Sequence, residues 1–316
     1  MRAARIHRFG APEVIDVDEV ARPAPGPHEV LVRVGAAGVG PWDALVRRGV
    51  SVLAQPLPLT LGAELSGTVE ARGAEVRGIA VGDPVFGATN ARFTGAYAEY
   101  ALAHAARIAP RPRTLDDVAA AALPVAAVTA WQMLFEAAKL RAGQRVLVLG
   151  AAGSVGGFAV ALAKRAGARI LGTASTHDLD AVRRLGADEA IDRATPLHGR
   201  VRGVDVVIDT VGGEAQKHAL ALLGEGGTLV SAVAVSKPDA AAAERRGVRA
   251  SFLLVRVMTA ELERIGRLVD GGELTVRVGT VLPLGAAREA HEILEKKRPR
   301  PRGKIVLQVG SPARSA

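Results

Sequence analysis

The sequence predicts an α/β protein: a doubly wound parallel sheet preceded by a β-rich region. Three observations carry this prediction. Arg145-Val-Leu-Val-Leu-Gly150-Ala-Ala-Gly153-Ser-Val-Gly156-Gly157 joins a short apolar run to a glycine-rich turn, and Phe158-Ala-Val-Ala-Leu-Ala-Lys164 continues it as an apolar-periodic helix. From there to about residue 255, strand and helix patterns alternate, as they do when helices cover both faces of a parallel sheet. Before residue 115, short apolar runs are punctuated by Gly, Pro and Asp, the pattern of a compact barrel-like unit.

In chain order, a strand at 29–34 follows the turn Pro25-Gly-Pro-His28, and further short strands fall at 67–70 and 83–86. An alanine-rich helix begins near Leu115. The alternating part places strands at 146–149, 169–173, 204–209, 228–232 and 249–255. Helices near 155–166, 178–185, 214–223 and 239–246 lie between them. A helix near 260–270, a helical segment 286–297 and a closing strand 304–309 complete the chain. The first of these helices carries Val155, Phe158, Ala159, Leu162 and Ala166 on one stripe, which suits packing on a sheet.

The chain has 316 residues, enough for two domains. Its 49% hydrophobic and 23% charged content fits a soluble globular protein, and 3% aromatics leave the core to Val, Leu, Ile and Ala. With no cysteine, disulfides, thiolate zinc and a cysteine nucleophile are excluded together. Met1-Arg-Ala-Ala-Arg-Ile-His7 lacks the apolar run of a signal peptide. Two uncharged runs, 118–135 and 146–163, are interrupted by Pro124 and by Gly150, Gly153, Gly156 and Gly157, and read as buried segments of a soluble fold. The expected location is the cytoplasm, with no membrane partner.

The glycine turn has the order that a dinucleotide pyrophosphate needs. Gly153 lets the backbone approach the phosphates, Gly156 lets the helix pack close to the strand, and the free N–H groups of the helix N-terminus face the anion. The first glycine of the usual Gly-x-Gly-x-x-Gly pattern is replaced by Ala151. Candidate contacts are Ala152, Gly153, Ser154, Val155 and Gly156. The next strand ends in Thr173-Ala-Ser175-Thr176, small hydroxyls where an NAD-preferring site carries Asp or Glu. Ser175 and Thr176 can donate to a 2′-phosphate, with His177, Arg183, Arg184 and Arg193 nearby in sequence, so NADPH is expected over NADH. Asp178 is the carboxylate that another loop path would bring to the ribose. Ser175 with Asp178 also reads as a helix cap, and both readings can hold. Asp209-Thr-Val211-Gly-Gly213 and Ser231 fall at the same sheet edge, as ligand contacts or as turn chemistry.

A net charge of +9 suits an anionic nucleotide. The densest basic cluster, Lys296-Lys-Arg-Pro-Arg-Pro-Arg-Gly-Lys304, reads as a solvated loop; without interleaved aromatics it offers no base stacking, and nucleic acid is not an expected partner.

With these pieces in place the chain resembles the medium-chain dehydrogenase/reductase superfamily, and most of all its zinc-independent quinone oxidoreductase branch, which includes zeta-crystallin-like and enoyl-reductase-like proteins. The resemblance rests on Leu61-Gly-Ala-Glu-Leu-Ser-Gly67, Val81-Gly-Asp-Pro-Val-Phe-Gly87, Gly95-Ala-Tyr-Ala-Glu-Tyr100 and Leu123-Pro-Val-Ala-Ala-Val-Thr-Ala-Trp131. It continues through Gly150-Ala-Ala-Gly-Ser-Val-Gly156, Leu185-Gly-Ala-Asp188, Asp209-Thr-Val-Gly-Gly213 and Gly303-Lys-Ile-Val306. It implies a GroES-like catalytic domain split between both chain ends (1–115 and 257–316) around a Rossmann domain (116–256), NADPH, and a homodimer. It also implies cofactor contacts from Thr129, Val211, Ser231, Phe252 and Lys304. Zinc-dependent relatives carry a Gly-His-Glu motif, but here Ala63 replaces the histidine, and no metal is expected. Many quinone oxidoreductases have Asn-Pro-x-Asp near the nicotinamide, whereas this chain has Gly40-Pro41-Trp42-Asp43. Relatives often have a Tyr where Arg193 stands, and the arginine would add a charge-assisted contact to the 2′-phosphate.

The activity implied is hydride transfer to a quinone or to the C=C bond of an α,β-unsaturated carbonyl compound. Thr129 meets the nicotinamide in the resemblance; by its own pattern it is a helix-interior hydroxyl. The segment Trp42 to Leu53 and the turn Thr89-Asn90-Ala-Arg-Phe93 are expected to line the substrate cleft with Gly40, and Trp42 reads equally as core. Asp43 is a candidate proton relay or a structural hydrogen-bonding group. Two alternatives stand beside this: a nucleotide-bound, RNA-associated or otherwise non-catalytic protein, and a tailoring reductase acting on a polyketide-like enone.

Overall fold

The computed structural model describes residues 1–299 and 302–310. The chain divides into two compact units, Met1–Val125 with the segment from Val257 onward, and Ala126–Arg256.

The first unit opens with β1 (Arg2–Ile6), β2 (Ile15–Glu19) and β3 (Glu29–Val39), followed by the short helix α1 (Pro41–Arg47). Then come β4 (Leu59–Thr60), β5 (Glu64–Arg72), β6 (Pro84–Ala88), β7 (Tyr100–His104), β8 (Ile108–Pro110) and α2 (Asp117–Ala120); α3 (Pro124–Trp131) begins at the end of this unit and runs into the second. The second unit alternates β9 (Arg145–Leu149), α4 (Ser154–Arg165), β10 (Arg169–Ala174), α5 (Leu179–Arg184), β11 (Glu189–Asp192), β12 (Val204–Asp209), α6 (Gly213–Leu220), β13 (Leu223–Ser231), α7 (Ala240–Glu244) and β14 (Arg249–Phe252). The chain returns to the first unit with α8 (Thr259–Asp270), β15 (Val278–Pro283), α9 (Ala287–Leu294) and β16 (Lys304–Gln308).

In the second unit the sheet order is β11-β10-β9-β12-β13-β14, with parallel pairing throughout. This is the Rossmann arrangement, and its order reverses between β9 and β12, where such sheets take ligands at the carboxyl ends of their strands. β9 reads Val-Leu-Val-Leu after Arg145 because it lies mid-sheet; all four side chains are buried. In the first unit β3 is the spine, pairing antiparallel with β5, β7 and β16. Its core gathers Ile6, Val32, Leu61, Leu65, Tyr97, Ile108, Ile305 and Leu307, so strands from both chain ends build one β-rich domain.

Several elements depart from the sequence expectation. β3 runs to Val39 instead of stopping at 34, passing through Gly35 and Gly38; a Cβ at Gly35 would lie 2.2 Å from Asp117 Oδ2, so glycine there permits close packing of α2. β14 stops at Phe252 because its partner β13 ends opposite it at Ser231. β11 has charged ends and no apolar run, and becomes a strand through its pairing with β10. The first crossing into the second unit falls at Val125/Ala126, beyond residue 115. The Asp117 carboxylate accepts hydrogen bonds from Ser66 (2.7 Å) and Arg111 (2.6 Å), and Glu64 Oε2 accepts one from Val125 N–H (2.7 Å), which ties 117–125 to the β-rich unit.

Candidate functional site

The glycine turn of the second unit is built around Gly150, whose φ of 76° lies in the left-handed region; a Cβ there would fall 2.6 Å from Thr210 Oγ1. The sequence pattern put the first glycine role at position 151, whereas Gly150 makes the tight turn. Gly156 is the close-packing glycine: a Cβ would stand 2.2 Å from the Gly150 carbonyl oxygen. Gly153 is the N-cap of α4 and supplies no side chain to its first-turn N–H groups. Twelve residues of aligned peptide dipoles therefore end at N–H groups with no capping side chain in front of them. Ala152, Ser154 and Val155 sit on this turn, and Thr173, at the end of β10, accepts the Gly150 N–H through its hydroxyl (3.3 Å). The donors, the dipole and the absence of a crowding side chain fit a dinucleotide pyrophosphate.

At the neighbouring strand ends Ser175 caps a short 3₁₀ turn without a side-chain hydrogen bond, while the Thr176 hydroxyl donates to Asp192 Oδ2. Asp192 also accepts Ala194 N–H (2.8 Å) and is held below the usual carboxylate range, first by the Thr176 hydroxyl and then by Ala194 N–H. Sequence reasoning missed Asp192 because it reaches this edge across the β10–β11 pairing, in register with Ala174, rather than along the chain after β10. Arg193 is exposed beside it.

Asp209, at the end of β12, is a hub of turn chemistry. Its Oδ1 accepts Val211 and Gly212 N–H (both 2.9 Å), and its Oδ2 accepts Gln216 Nε2 (2.7 Å) and the Ser231 hydroxyl (2.7 Å). Ser231 in turn accepts Val233 N–H (3.1 Å). Its hydroxyl is thus committed inside the protein, and Val211 projects, 53% exposed, from the turn this network shapes. Phe252 ends β14 with the Lys237 ammonium 5.3 Å from its ring centre. Thr129 is buried on α3, three residues before a π-helical segment that begins after Trp131.

The first unit brings several of the other candidates together. Asp43 is buried in the first turn of α1 and its Oδ2 accepts Gly40 N–H (2.8 Å), which fixes the turn Gly40-Pro41-Trp42. Gly40 leaves room for Lys304: a Cβ at position 40 would stand 3.2 Å from the lysine ammonium. That ammonium forms a buried ion pair with Glu64, so Lys304 is engaged within the β-rich unit. Trp42 meets Phe93 edge-on, ring centres 5.8 Å apart. Phe93 is held at φ 57° by a turn in which the Asn90 amide donates to Thr94 O (2.7 Å) and accepts Arg92 N–H (2.9 Å). Leu53 is half-buried, its carbonyl accepting the Ser51 hydroxyl.

Beneath this turn lie groups that the sequence reading did not single out. Arg47, fully buried on α1, donates to Gly10 O (3.0 Å), His291 Nδ1 (3.0 Å) and Glu295 Oε1 (2.6 Å). His291 stands edge-on to Tyr97, ring centres 6.0 Å apart. Burial pushes the Asp43 carboxyl up to about 7, against the opposing pull of the Gly40 N–H and the Lys304 charge. Burial, then the Arg47 charge, pushes His291 down to about 3, so the imidazole is neutral and accepts from Arg47 through Nδ1. Burial, then the neighbouring Asp43 charge, holds the Tyr97 phenol well above its ordinary range. The sequence carried little signal for this cluster, because Tyr97 and His291 arrive from segments far from α1 in the chain.

Among the described residues no group of His, Cys, Asp and Glu is arranged to hold a metal ion, and the sequence lacks cysteine. Among the described residues the donors present do not assemble a zinc site. No helix among the described residues is long and apolar enough to cross a membrane.

A Rossmann sheet with an uncapped glycine turn, joined to a β-rich GroES-like unit made from both chain ends, defines a nucleotide-dependent dehydrogenase or reductase. Residues 26–113 match the alcohol dehydrogenase GroES-like domain, and residues 185–307 match the family described as zinc-binding dehydrogenase. The mouse quinone oxidoreductase is 34% identical over 312 residues, covering 92% of this chain and 93% of the relative. The structure of the quinone oxidoreductase from Coxiella burnetii superposes with a TM-score of 0.91 at 31% identity, covering 98% of this chain and 99% of that one. A mycobacterial protein solved in complex with NADPH matches with a TM-score of 0.87 at 28% identity, covering 98% and 99%. The chain belongs to the medium-chain dehydrogenase/reductase superfamily, in its quinone oxidoreductase branch, and is an oxidoreductase.

Proposed function

We propose that the protein is an NADPH-dependent, zinc-independent reductase of quinones or of the C=C bond of α,β-unsaturated carbonyl compounds, acting as a homodimer in the cytoplasm. The observation that carries this reading is the uncapped, glycine-lined N-terminus of α4 at the reversal point of the parallel sheet. When bound, the reduced nicotinamide supplies a hydride. The backbone from Ala152 to Gly156 holds the pyrophosphate. Ser175 and the exposed Arg193 take the 2′-phosphate, while Asp192, already accepting from Thr176, opposes it. Thr129, Val211, Ser231 and Phe252 border the nicotinamide, Ser231 through its backbone. Lys304, held by its Glu64 pair beside Gly40, completes the cofactor contacts.

Electron-poor acceptors need less help than an isolated ketone, because the developing oxygen anion requires only hydrogen-bond donors. Half-buried Trp42, backed edge-on by the buried Phe93 and flanked by Gly40, Leu53 and Asn90, offers an apolar ring to a planar acceptor. Asp43 shapes this turn as a cap and stores a proton near it. An RNA-associated role draws no support from the basic C-terminal segment, where Arg298 is paired with Glu289 and Glu292.

The test is cofactor oxidation by the purified protein with an ortho-quinone and with linear and cyclic enones, NADPH and NADH in parallel. Turnover with NADPH is expected, and Arg193→Ala should lower kcat/KM for NADPH about tenfold while sparing NADH. Nucleotide binding with no turnover on any acceptor would remove the quinone and simple-enone reading. It would leave a specialised tailoring substrate or a non-catalytic role.

A further inference from the structure

The β-rich unit keeps an apolar loop at its surface that its own packing does not account for. Residues 49–58 follow α1 without a single charge: Gly-Val-Ser-Val-Leu-Ala-Gln-Pro-Leu-Pro. Their exposure alternates over most of this length. Ser51, Leu53 and Gln55 are half-buried, while Val50, Val52 and Ala54 are exposed, so the loop has an inner and an outer face. The inner face is anchored: the Gln55 amide donates to Arg92 O (3.1 Å), next to Phe93, which meets the Trp42 ring. The outer face is apolar and open, with Val50 54% and Val52 45% exposed. Phe9 joins it. Its ring lies on Gly49, where a Cβ would stand 2.7 Å from Phe9 Cγ, and the Gly10 N–H donates to Arg47 O (3.1 Å). The backbone thus ties the phenylalanine beside the loop and leaves it 42% exposed. Leu57, also exposed, leaves the sheet at the same end, two residues before Leu59, which pairs with Ile6.

The charges around this patch have one sign. The three segments that build it, 1–12, 44–63 and 84–98, contain six arginines and no acidic residue. Three of the arginines bracket the apolar side chains: Arg8 beside Phe9, Arg48 at the start of the loop, and Arg92 where Gln55 is tied. Arg8 and Arg92 are exposed and enter no ion pair among the described residues, and Arg48 reaches Glu295 only at 4.0 Å. Acids that approach from other elements are already answered. Asp18 pairs with Arg5, Asp16 lies opposite Arg5 in the β1–β2 register, Glu13 faces Arg288 and Lys297, and Glu295 holds Arg47.

We propose that the outer face of the 49–58 loop, with Phe9, is a peripheral docking surface for an anionic lipid membrane. Exposed apolar side chains rimmed by unanswered basic groups supply the two contributions that hold a protein at such a surface, apolar burial and attraction to negative headgroups. The rim argues against a second copy of this chain as the occupant, because a two-fold contact would set one arginine rim against the other. Docking of this kind departs from the expectation of no membrane partner, which rested on the interrupted apolar runs and so on spanning segments alone. Because the inner face of the same loop reaches the Trp42 side, a docked protein would take its acceptor from the lipid phase. That consequence rests on the reductase reading above; the docking does not.

The experiment is co-sedimentation of the full chain with vesicles of equimolar phosphatidylcholine and phosphatidylglycerol, and with vesicles of phosphatidylcholine alone. Binding is expected to the first and not to the second, and salt at about 1 M, which cuts the screening length to about 3 Å, should release it. Phe9→Ser with Val52→Ser should weaken binding at least about tenfold, as should Arg8→Gln with Arg92→Gln. Arg113→Gln with Arg245→Gln removes the same charge from exposed positions on other elements and should change it less than about twofold. Phe9→Trp should gain emission that brominated acyl chains quench, beyond any quenching seen in the parent. No binding to the anionic vesicles, an equal loss from both arginine pairs, or binding without that added quenching overturns the proposal. A fall in sedimenting mass on Phe9→Ser with Val52→Ser also overturns it, because a second copy would then be the occupant. Vesicle binding without turnover on any acceptor supports the docking and counts against the reductase reading alone.

Discussion

Asp43 and His291 are two buried titrating groups of one unit whose effects on stability have opposite signs. The Asp43 carboxyl is raised from 3.8 to about 7 in the folded protein. Between these values the folded state holds a proton that the unfolded state has released, so stability is fully present below pH 3.8 and is lost as pH rises through 7. The shift corresponds to roughly 4 kcal/mol at about 1.4 kcal/mol per unit. His291 is depressed from 6.5 to about 3, so its contribution is present above pH 6.5 and is lost as pH falls towards 3, to an extent of roughly 5 kcal/mol. From about pH 4 to 6.5 the two slopes, each about 1.4 kcal/mol per pH unit, cancel. The perturbation that separates them is one substitution at a time: Asp43→Asn keeps the cap to Gly40, and His291→Asn keeps an acceptor for Arg47. The assay is reversible urea unfolding at several pH values between 4 and 8, followed by Trp42 emission in the Trp131→Phe background so that only the β-rich unit is read. Relative to the parent, Asp43→Asn should gain stability with rising pH and His291→Asn should lose it, with mirror-image slopes over pH 4 to 6.5. Two flat difference curves, or two slopes of the same sign, would refute the assignment of these protons.

Other changes test the framework around the site. Arg47→Ala leaves Glu295 only the looser Arg48 contact and removes the donor to His291 Nδ1, and should destabilise the β-rich unit by about 3 kcal/mol in the same unfolding assay. Gly156→Ala drives a Cβ to within 2.2 Å of the Gly150 carbonyl oxygen; calorimetry should show the dinucleotide affinity falling by at least about tenfold, with a stability loss of about 1–3 kcal/mol. Gly153→Ala, with φ −72° and its nearest neighbour at 3.2 Å, should keep the fold and lose far less stability than Gly156→Ala. Asp192→Asn removes a carboxylate from the strand edge beside Ser175 and should shift the NADPH-to-NADH ratio of kcat/KM towards NADPH, as read in parallel initial-rate assays.

What the sequence made legible is what neighbours along the chain determine. The strand–glycine turn–helix at 145–165 is such a feature, since apolar period, turn and helix start are all local signals, and the parallel alternation that follows was readable for the same reason. Asp43 as a hydrogen-bonding group was legible because its partner, Gly40, is three residues away. The misses have one physical cause, partners brought from a distance. β11 exists by pairing with β10, and β14 is cut short by the end of β13; Asp192 reaches the nucleotide edge only through the first of these pairings.

The buried cluster makes the same point in energetic terms. Nothing near Arg47 in the sequence announces a fully buried arginine, because the groups that make it tolerable are Gly10 O, His291 and Glu295, two of them more than 240 residues away. A guanidinium without them would be expelled to solvent. The imidazole is kept neutral by the same burial, and burial raises the Asp43 carboxyl to about 7. The turn carrying Trp42 therefore stands on three side chains whose ionisation states depend on one another. A substitution at any one should be read through the other two, and the Asp43→Asn, His291→Asn double variant supplies that reading. If the three act as one unit, its stability should depart from the sum of the single changes by about 0.5–3 kcal/mol. Additive losses would mean that the carboxyl and the imidazole titrate as neighbours without coupling.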